Sequence, residues 1–261
     1  GSLDFIDGSG RWFLLSVGGA SSFQVWDKQL NLVYTGTISD TGPSGGGWIS
    51  MLSDGSGVIS ANGSNHKYYA IDKGNHTVNT TAFTYLSGQG DHGDAVCATD
   101  GNCYLVTVSY TITPNNAVYA INVKTGASKL LFQLTNPGGA ECDDAHFSRI
   151  SRGPLKNWML IDTEITESAG SPTCASADST TNPMPTAGWW PFRQEILMVN
   201  VLTLDVRRLA HHRSRDIPSH YCREPRVNAN WDGTKVAWTS NYGVDADDGG
   251  CGYSDLYVAD F

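Results

Sequence analysis

Seven histidines punctuate the chain, and five of them (His92, His146, His211, His212 and His220) share their segments with carboxylates and arginines. Asp91, Asp94, Glu141, Asp143, Asp144 and Glu224 stand near them, as do Tyr221, Arg223 and Arg226. These residue types support three kinds of chemistry. Imidazole exchanges protons near neutral pH and ligates metal ions. A guanidinium neutralises a carboxylate through its planar fork. A phenol can act as acid or base once its pKa is tuned. Any one of these residues in a loop is ordinarily a turn cap or a solvated group. The group becomes a site only if the fold brings positions 92, 146, 212 and 224 to one place.

Composition narrows the partners. The 17 Lys and Arg against 26 Asp and Glu give a net charge of −9, which argues against nucleic acid, since phosphate binding needs a basic face. An anionic sugar held by a local Arg/His cluster is still compatible. No stretch reaches the roughly 18 apolar residues of a membrane span. No signal-peptide pattern opens the chain, as expected of a mature or trimmed form. Six cysteines without a C-x-x-C motif point to disulfides rather than zinc. Sequons at Asn62, Asn75 and Asn79 agree with an extracellular, secreted or periplasmic protein.

The elements that must position these groups come from a repeat. Asp-Gly turns fall at Asp7, Asp54, Asp100 and Asp232, with Arg152-Gly153-Pro154 in the remaining copy. Each is followed by a strand closing on Asp27, Asp72, Asn122, Asn200 or Asp260. Two inserts, roughly 167–191 and 244–252, lengthen the last two copies. About 45 residues holding four short strands is the signature of a β-propeller blade. The sequence thus predicts one all-β domain of five blades, near 1–40, 41–87, 88–135, 136–210 and 211–261. Strands A to D, from channel to rim, are expected at 3–6, 12–17, 23–27 and 32–37 in the first blade. They are expected at 48–53, 57–60, 68–72 and 79–85 in the second, and at 94–99, 104–110, 117–123 and 129–134 in the third. The fourth has 145–151, 158–163, 194–201 and 206–210. The fifth has 226–230, 235–241 and 255–261, without a strand D, so it is either incomplete or completed by the N-terminus.

The last copy, NWDGTKVAWTSN followed by SDLYVAD, resembles the PD40-type blade of TolB-like and oligogalacturonate lyase-like propellers. Trp231 replaces the usual Pro of that pattern. The resemblance covers about 30 residues, and it implies fold more strongly than function.

In such a blade the D–A connections and B–C loops share one face, the top. His92, His146, His211, His212 and His220 are expected there, with Tyr221, Arg223 and Arg226. Three disulfides are expected: Cys97–Cys103 across the third Asp-Gly turn, and Cys142–Cys174 and Cys222–Cys251 tethering the top inserts. Trp189, Trp190 and Phe192 end the long insert and either stack on sugar rings or pack on strand C. Trp48 lies at the same level of the second blade. Two lookalikes are set aside. Gly42 to Gly46 matches G-x-S-x-G but no helix follows, and Asp245, Asp247 and Asp248 lack EF-hand spacing.

Three functions fit. A lyase of uronic-acid polysaccharides needs a carboxylate neutraliser (Arg226 or Arg223), a base (His146 or His92) and an acid or base (Tyr221). The oligogalacturonate lyase-like resemblance implies a divalent metal, manganese, calcium or zinc, held by histidines on the top face; by position the ligands would be His92, His146 and His211 or His212. A binding module for glycans or proteins needs only the rim aromatics and the polar mouth. A glycosidase needs two carboxyls about 5–9.5 Å apart, with Asp94, Asp144 and Glu224 at suitable levels. The disulfide scheme is tested by peptide mapping without reduction, which is expected to recover the three stated linkages among fifteen possible pairings.

Overall fold

A computed structural model describes residues 5–16, 23–36, 48–62, 65–86, 92–109, 112–134, 143–165, 192, 195–212, 214, 225–240 and 255–260. Its strands form five antiparallel sheets in chain order. The first holds β1 (Trp12–Ser16), β2 (Phe23–Asp27) and β3 (Leu32–Val33), with Ile6 bridging Phe13 on the inner side. The second runs β4 (Trp48–Met51), β5 (Gly57–Asn62), β6 (Asn65–Asp72) and β7 (Thr77–Leu86). The third runs β8 (Gly93–Cys97), β9 (Cys103–Ser109), β10 (Ala117–Asn122) and β11 (Ser128–Gln133). The fourth runs β12 (Asp143–Arg149), β13 (Trp158–Ile165), β14 (Glu195–Asn200) and β15 (Val206–His211). The fifth holds β16 (Asn228–Ala229), β17 (Lys235–Ser240) and β18 (Asp255–Asp260). These sheets agree with the expected blades, except that strand A of the first, expected at 3–6, is present among the described residues only as the Ile6–Phe13 bridge.

The sequence forms these sheets because its turns and patterning agree. Asp7 accepts the amides of Arg11 (2.8 Å) and Trp12 (2.9 Å), which closes the first turn. The third turn closes through Asp100 and Asn102 (3.0 Å), and Cys97 and Cys103, register partners across it, are disulfide-bonded as expected. Gly233 occupies φ +76°, and a Cβ there would lie 2.7 Å from Ile150 Cδ1, so any other residue is strained in that turn and must displace Ile150. Strands β9 and β14 are buried on both faces because a blade lies on either side.

Four apolar cores fill the junctions between successive blades. Trp12, Val25 and Tyr34 meet Ile49 and Met51; Trp48, Ile59 and Tyr68 meet Leu105 and Tyr119. Val106 and Phe132 meet Phe147 and Leu197, and Ile150 and Met198 meet Val227 and Val236. Among the described residues no such cluster joins the fifth blade to the first. On the fifth blade's far side, Leu256 and Val258 are 68% and 59% exposed.

The turns close on the axis all the same. The Gly8 amide donates to the Ser53 carbonyl at 2.8 Å, and a Cβ on Gly10 would sit 3.5 Å from the Trp231 ring. Above them Arg149, 3% exposed, ties four blades together. Its guanidinium donates to the Ile6 carbonyl (2.8 Å), Ser50 Oγ (3.3 Å) and the Met51 carbonyl. Its own amide donates to Asp94 Oδ2 at 2.9 Å. Arg149→Met strands two buried carbonyls at once, so it is expected to cost about 3 kcal/mol. Urea denaturation measures this, and an unchanged midpoint would mean that the apolar cores alone hold the axis.

Candidate functional site

The upper channel wall is built from the inner strands of the third, fourth and fifth blades. His146 sits mid-strand in β12 opposite Asp162 of β13, its register partner. Both are buried. His146 Nδ1 meets Asp162 Oδ1 at 3.0 Å, while Arg226 Nη1 donates to Nε2. Arginine only donates, so Nε2 is the acceptor. The ring proton therefore lies on Nδ1 and is given to Asp162. The remaining oxygen of Asp162 accepts the Val227 amide at 2.7 Å. The result is a linear relay, Asp162 to His146 to Arg226, that spans the fourth and fifth blades. Burial works against the charged Asp162 carboxyl, but the His146 ring and the Val227 amide outweigh it and hold its pKa below the ordinary value.

Two further histidines join this wall. The His92 ring lies edge-on to His146, with centroids 4.7 Å apart. His212 lies behind it, buried, and donates from Nε2 to the Thr163 carbonyl (2.8 Å). Its Nδ1 accepts the Ser214 amide (3.0 Å). Burial pushes the His212 ring down to about 4, the Thr163 carbonyl and Asp162 offsetting only part of that. The convergence expected from the sequence is thus found for His92, His146, His212 and Arg226.

Other expectations are corrected. His211 lies not in the D–A connection but at the end of rim strand β15, exposed, with its ring stacked 6.1 Å from His212. A metal ion held by these histidines does not fit: both ring nitrogens of His146 and of His212 are already engaged by protein groups. Trp48 is no sugar platform. It is 6% exposed and packs edge-on to His66 at 5.3 Å within the core. Phe192 packs against Phe132 of β11 at 5.0 Å, a contact with the third blade rather than with strand C. Asp94 is fully buried and accepts from Arg149, Ser50 and Ala95, so it faces the axle rather than a substrate.

Trp189, Trp190, Tyr221, Arg223, Cys142, Cys174, Cys222 and Cys251 lie outside the described residues, as does the side chain of Asn62. Asn75 and Asn79 are exposed, and Asn75 donates to Asp72 at 2.7 Å. Asp162 was not singled out from the sequence. Its signal is there: a carboxylate interrupts the apolar run WMLI of β13, and such a residue needs a buried partner.

No protein-family model matches this sequence, and no curated protein matches it. Solved structures do match in fold. TolB from Acinetobacter baumannii is 15% identical over 95% of this chain and 49% of its own, with TM-score 0.47. A functionally unknown protein from Desulfotomaculum acetoxidans is 11% identical over 98% and 67%, with TM-score 0.50. The β-propeller domain of the Trilobed protease from Pyrococcus furiosus is 10% identical over 99% and 68%, with TM-score 0.47. The chain spans about half the length of the TolB it matches. The chain is a β-propeller. Among the described residues no helix is long and apolar enough to cross a membrane.

The site carries a pH signature. Below pH 6.5 the unfolded chain protonates His212, whereas the folded chain waits until about 4. Folding therefore loses stability as pH falls through that window, by about 3 kcal/mol in all. Asp162 adds a further loss below its ordinary value near ~3.9, because its folded pKa lies lower still. Denaturation midpoints from pH 8 to 4 are expected to show this slope and to lose most of it in His212→Gln. An equal slope in that variant would place the titration elsewhere.

Proposed function

We propose that the chain is an extracellular or periplasmic binding propeller that holds a carboxylate-bearing oligosaccharide at its top mouth. One observation carries this reading: the half-buried Arg226 guanidinium is aimed by His146, which is itself fixed by a buried Asp162. A guanidinium held in place loses little entropy on meeting a carboxylate, and its fork matches one bidentately. The net charge of −9 makes such a local cation selective for small anionic ligands over polyanionic nucleic acid. The Cys97–Cys103 disulfide is compatible with an oxidising compartment.

A second reading, a uronate lyase, is supported by the contact of Arg226 with His146 Nε2. If the guanidinium transfers to the substrate carboxylate, Nε2 is left to accept the C5 proton, and Asp162 stabilises the imidazolium that forms. The C4–O bond then breaks to give an unsaturated sugar, and Tyr221 is the acid that the sequence offers to protonate the leaving oxygen.

Calorimetric titration with oligogalacturonate tests both. Binding is expected to weaken about 10- to 100-fold in Arg226→Gln, the worth of one charge-assisted contact. It is also expected to vanish for the same oligosaccharide with its carboxyls reduced. New ultraviolet absorbance on incubation would favour the lyase. Equal binding of both sugars would overturn the carboxylate reading.

A further inference from the structure

On the opposite face, three donor groups from two blades come together without any part in the site above. Asp54 stands in the β4–β5 turn, and Cys97 and Cys103 bracket the β8–β9 turn. A carboxylate oxygen and the two sulfurs all lie within 4.8 Å of one another. We propose that this cluster is a redox-gated metal site, closed to metal as the disulfide and open to a zinc-class divalent ion once the Cys97–Cys103 bond is reduced. The proposal is independent of the carbohydrate reading.

The hairpin does not need its disulfide to hold the donors in place. Cys97 and Cys103 are directly opposed in the β8–β9 register, with Cα atoms 3.9 Å apart. The turn between them closes through Ala98 N to Asn102 O (2.8 Å) and Gly101 N to Ala98 O (3.2 Å). Asp100 anchors it by accepting from Tyr104 Oη at 2.6 Å. The neighbouring turn is pinned to it, since the Cys97 amide donates to Ser53 Oγ at 3.3 Å. Asp54 therefore stays beside the sulfurs whichever oxidation state they hold. One of its oxygens caps its own turn, accepting the Ser56 amide at 2.9 Å. A carboxylate has capacity for that amide and an ion together.

The chemistry balances. A dithiol reductant supplies two electrons and two protons to the S–S bond, leaving two thiols and becoming a cyclic disulfide itself. The divalent ion then replaces both thiol protons, which pass to solvent. Tetrahedral zinc with sulfur at about 2.3 Å places its two thiolates about 3.8 Å apart, a separation that side-chain rotation on opposed strand residues can reach. Asp54 is the third ligand and, being exposed, leaves the fourth position to water. Cys97 is only partly buried, which gives the reductant its entry.

Cobalt(II) titration of the full chain, oxidised and after dithiol reduction with the dithiol then removed, tests this. The reduced chain is expected to bind one equivalent with a thiolate-to-cobalt charge-transfer band, and the oxidised chain to show none. The band should disappear in Cys97→Ser/Cys103→Ser. In Asp54→Asn, which leaves the hairpin intact, affinity should drop by at least the about 10- to 100-fold that losing an outer-sphere partner costs. No band in the reduced wild type overturns the proposal. So does a band that survives in the double variant, which would assign the metal to the other cysteines. Unchanged affinity in Asp54→Asn overturns the ligand set.

Discussion

A buried guanidinium on the axis is the constraint on which the rest depends. Arg149 is charged and almost wholly enclosed, so every one of its donors has to find an oxygen. The oxygens it finds belong to Ile6, Ser50, Met51 and Ser151, while its backbone amide is held by Asp94. Those groups lie on four blades, up to 143 residues apart in sequence. The apolar cores between blades are non-directional and would tolerate some sliding. Hydrogen bonds to one cation do not, and they fix how the inner strands stand relative to one another.

The upper layer inherits that registry. Asp162 reaches the Val227 amide of the next blade only if β13 and the start of the fifth blade are held at the right height. The same placement sets His146 between a buried carboxylate and Arg226, and brings His92 from the third blade against it. Two layers thus share one wall. The lower one is held by carbonyls, serine hydroxyls and the Asp94 carboxylate, and is structural. The upper one ends in a half-buried cation, the group to which the proposed function assigns the ligand carboxylate.

Much of this was legible in the sequence because turns and strands obey local rules. The Asp-Gly turns and the closing Asp or Asn of each strand C located all five sheets, and propeller geometry put His92, His146 and Arg226 together. Burial was not legible. Trp48 follows a glycine run and looks like a rim aromatic, yet it is packed against His66 in the core. His212 has the same residue type as His146, but backbone groups occupy both of its nitrogens. Those partners, the Thr163 carbonyl and the Ser214 amide, belong to every sequence and leave no trace in one. Asp162 and Arg149 carried the signal of charge inside apolar strands, though only the cross-blade partners reveal what each one does.

The claim that Arg226 is aimed by His146 and Asp162 toward a carboxylate is tested most directly by imidazole nitrogen NMR. The free protein is expected to show His146 with its proton on Nδ1 and an Nε2 that accepts a hydrogen bond. Saturating oligogalacturonate should shift the Nε2 resonance as the guanidinium turns to the sugar carboxylate, and Asp162→Asn should abolish that response. Histidine resonances that stay in place at saturation, or a free-state proton on Nε2, would contradict the account.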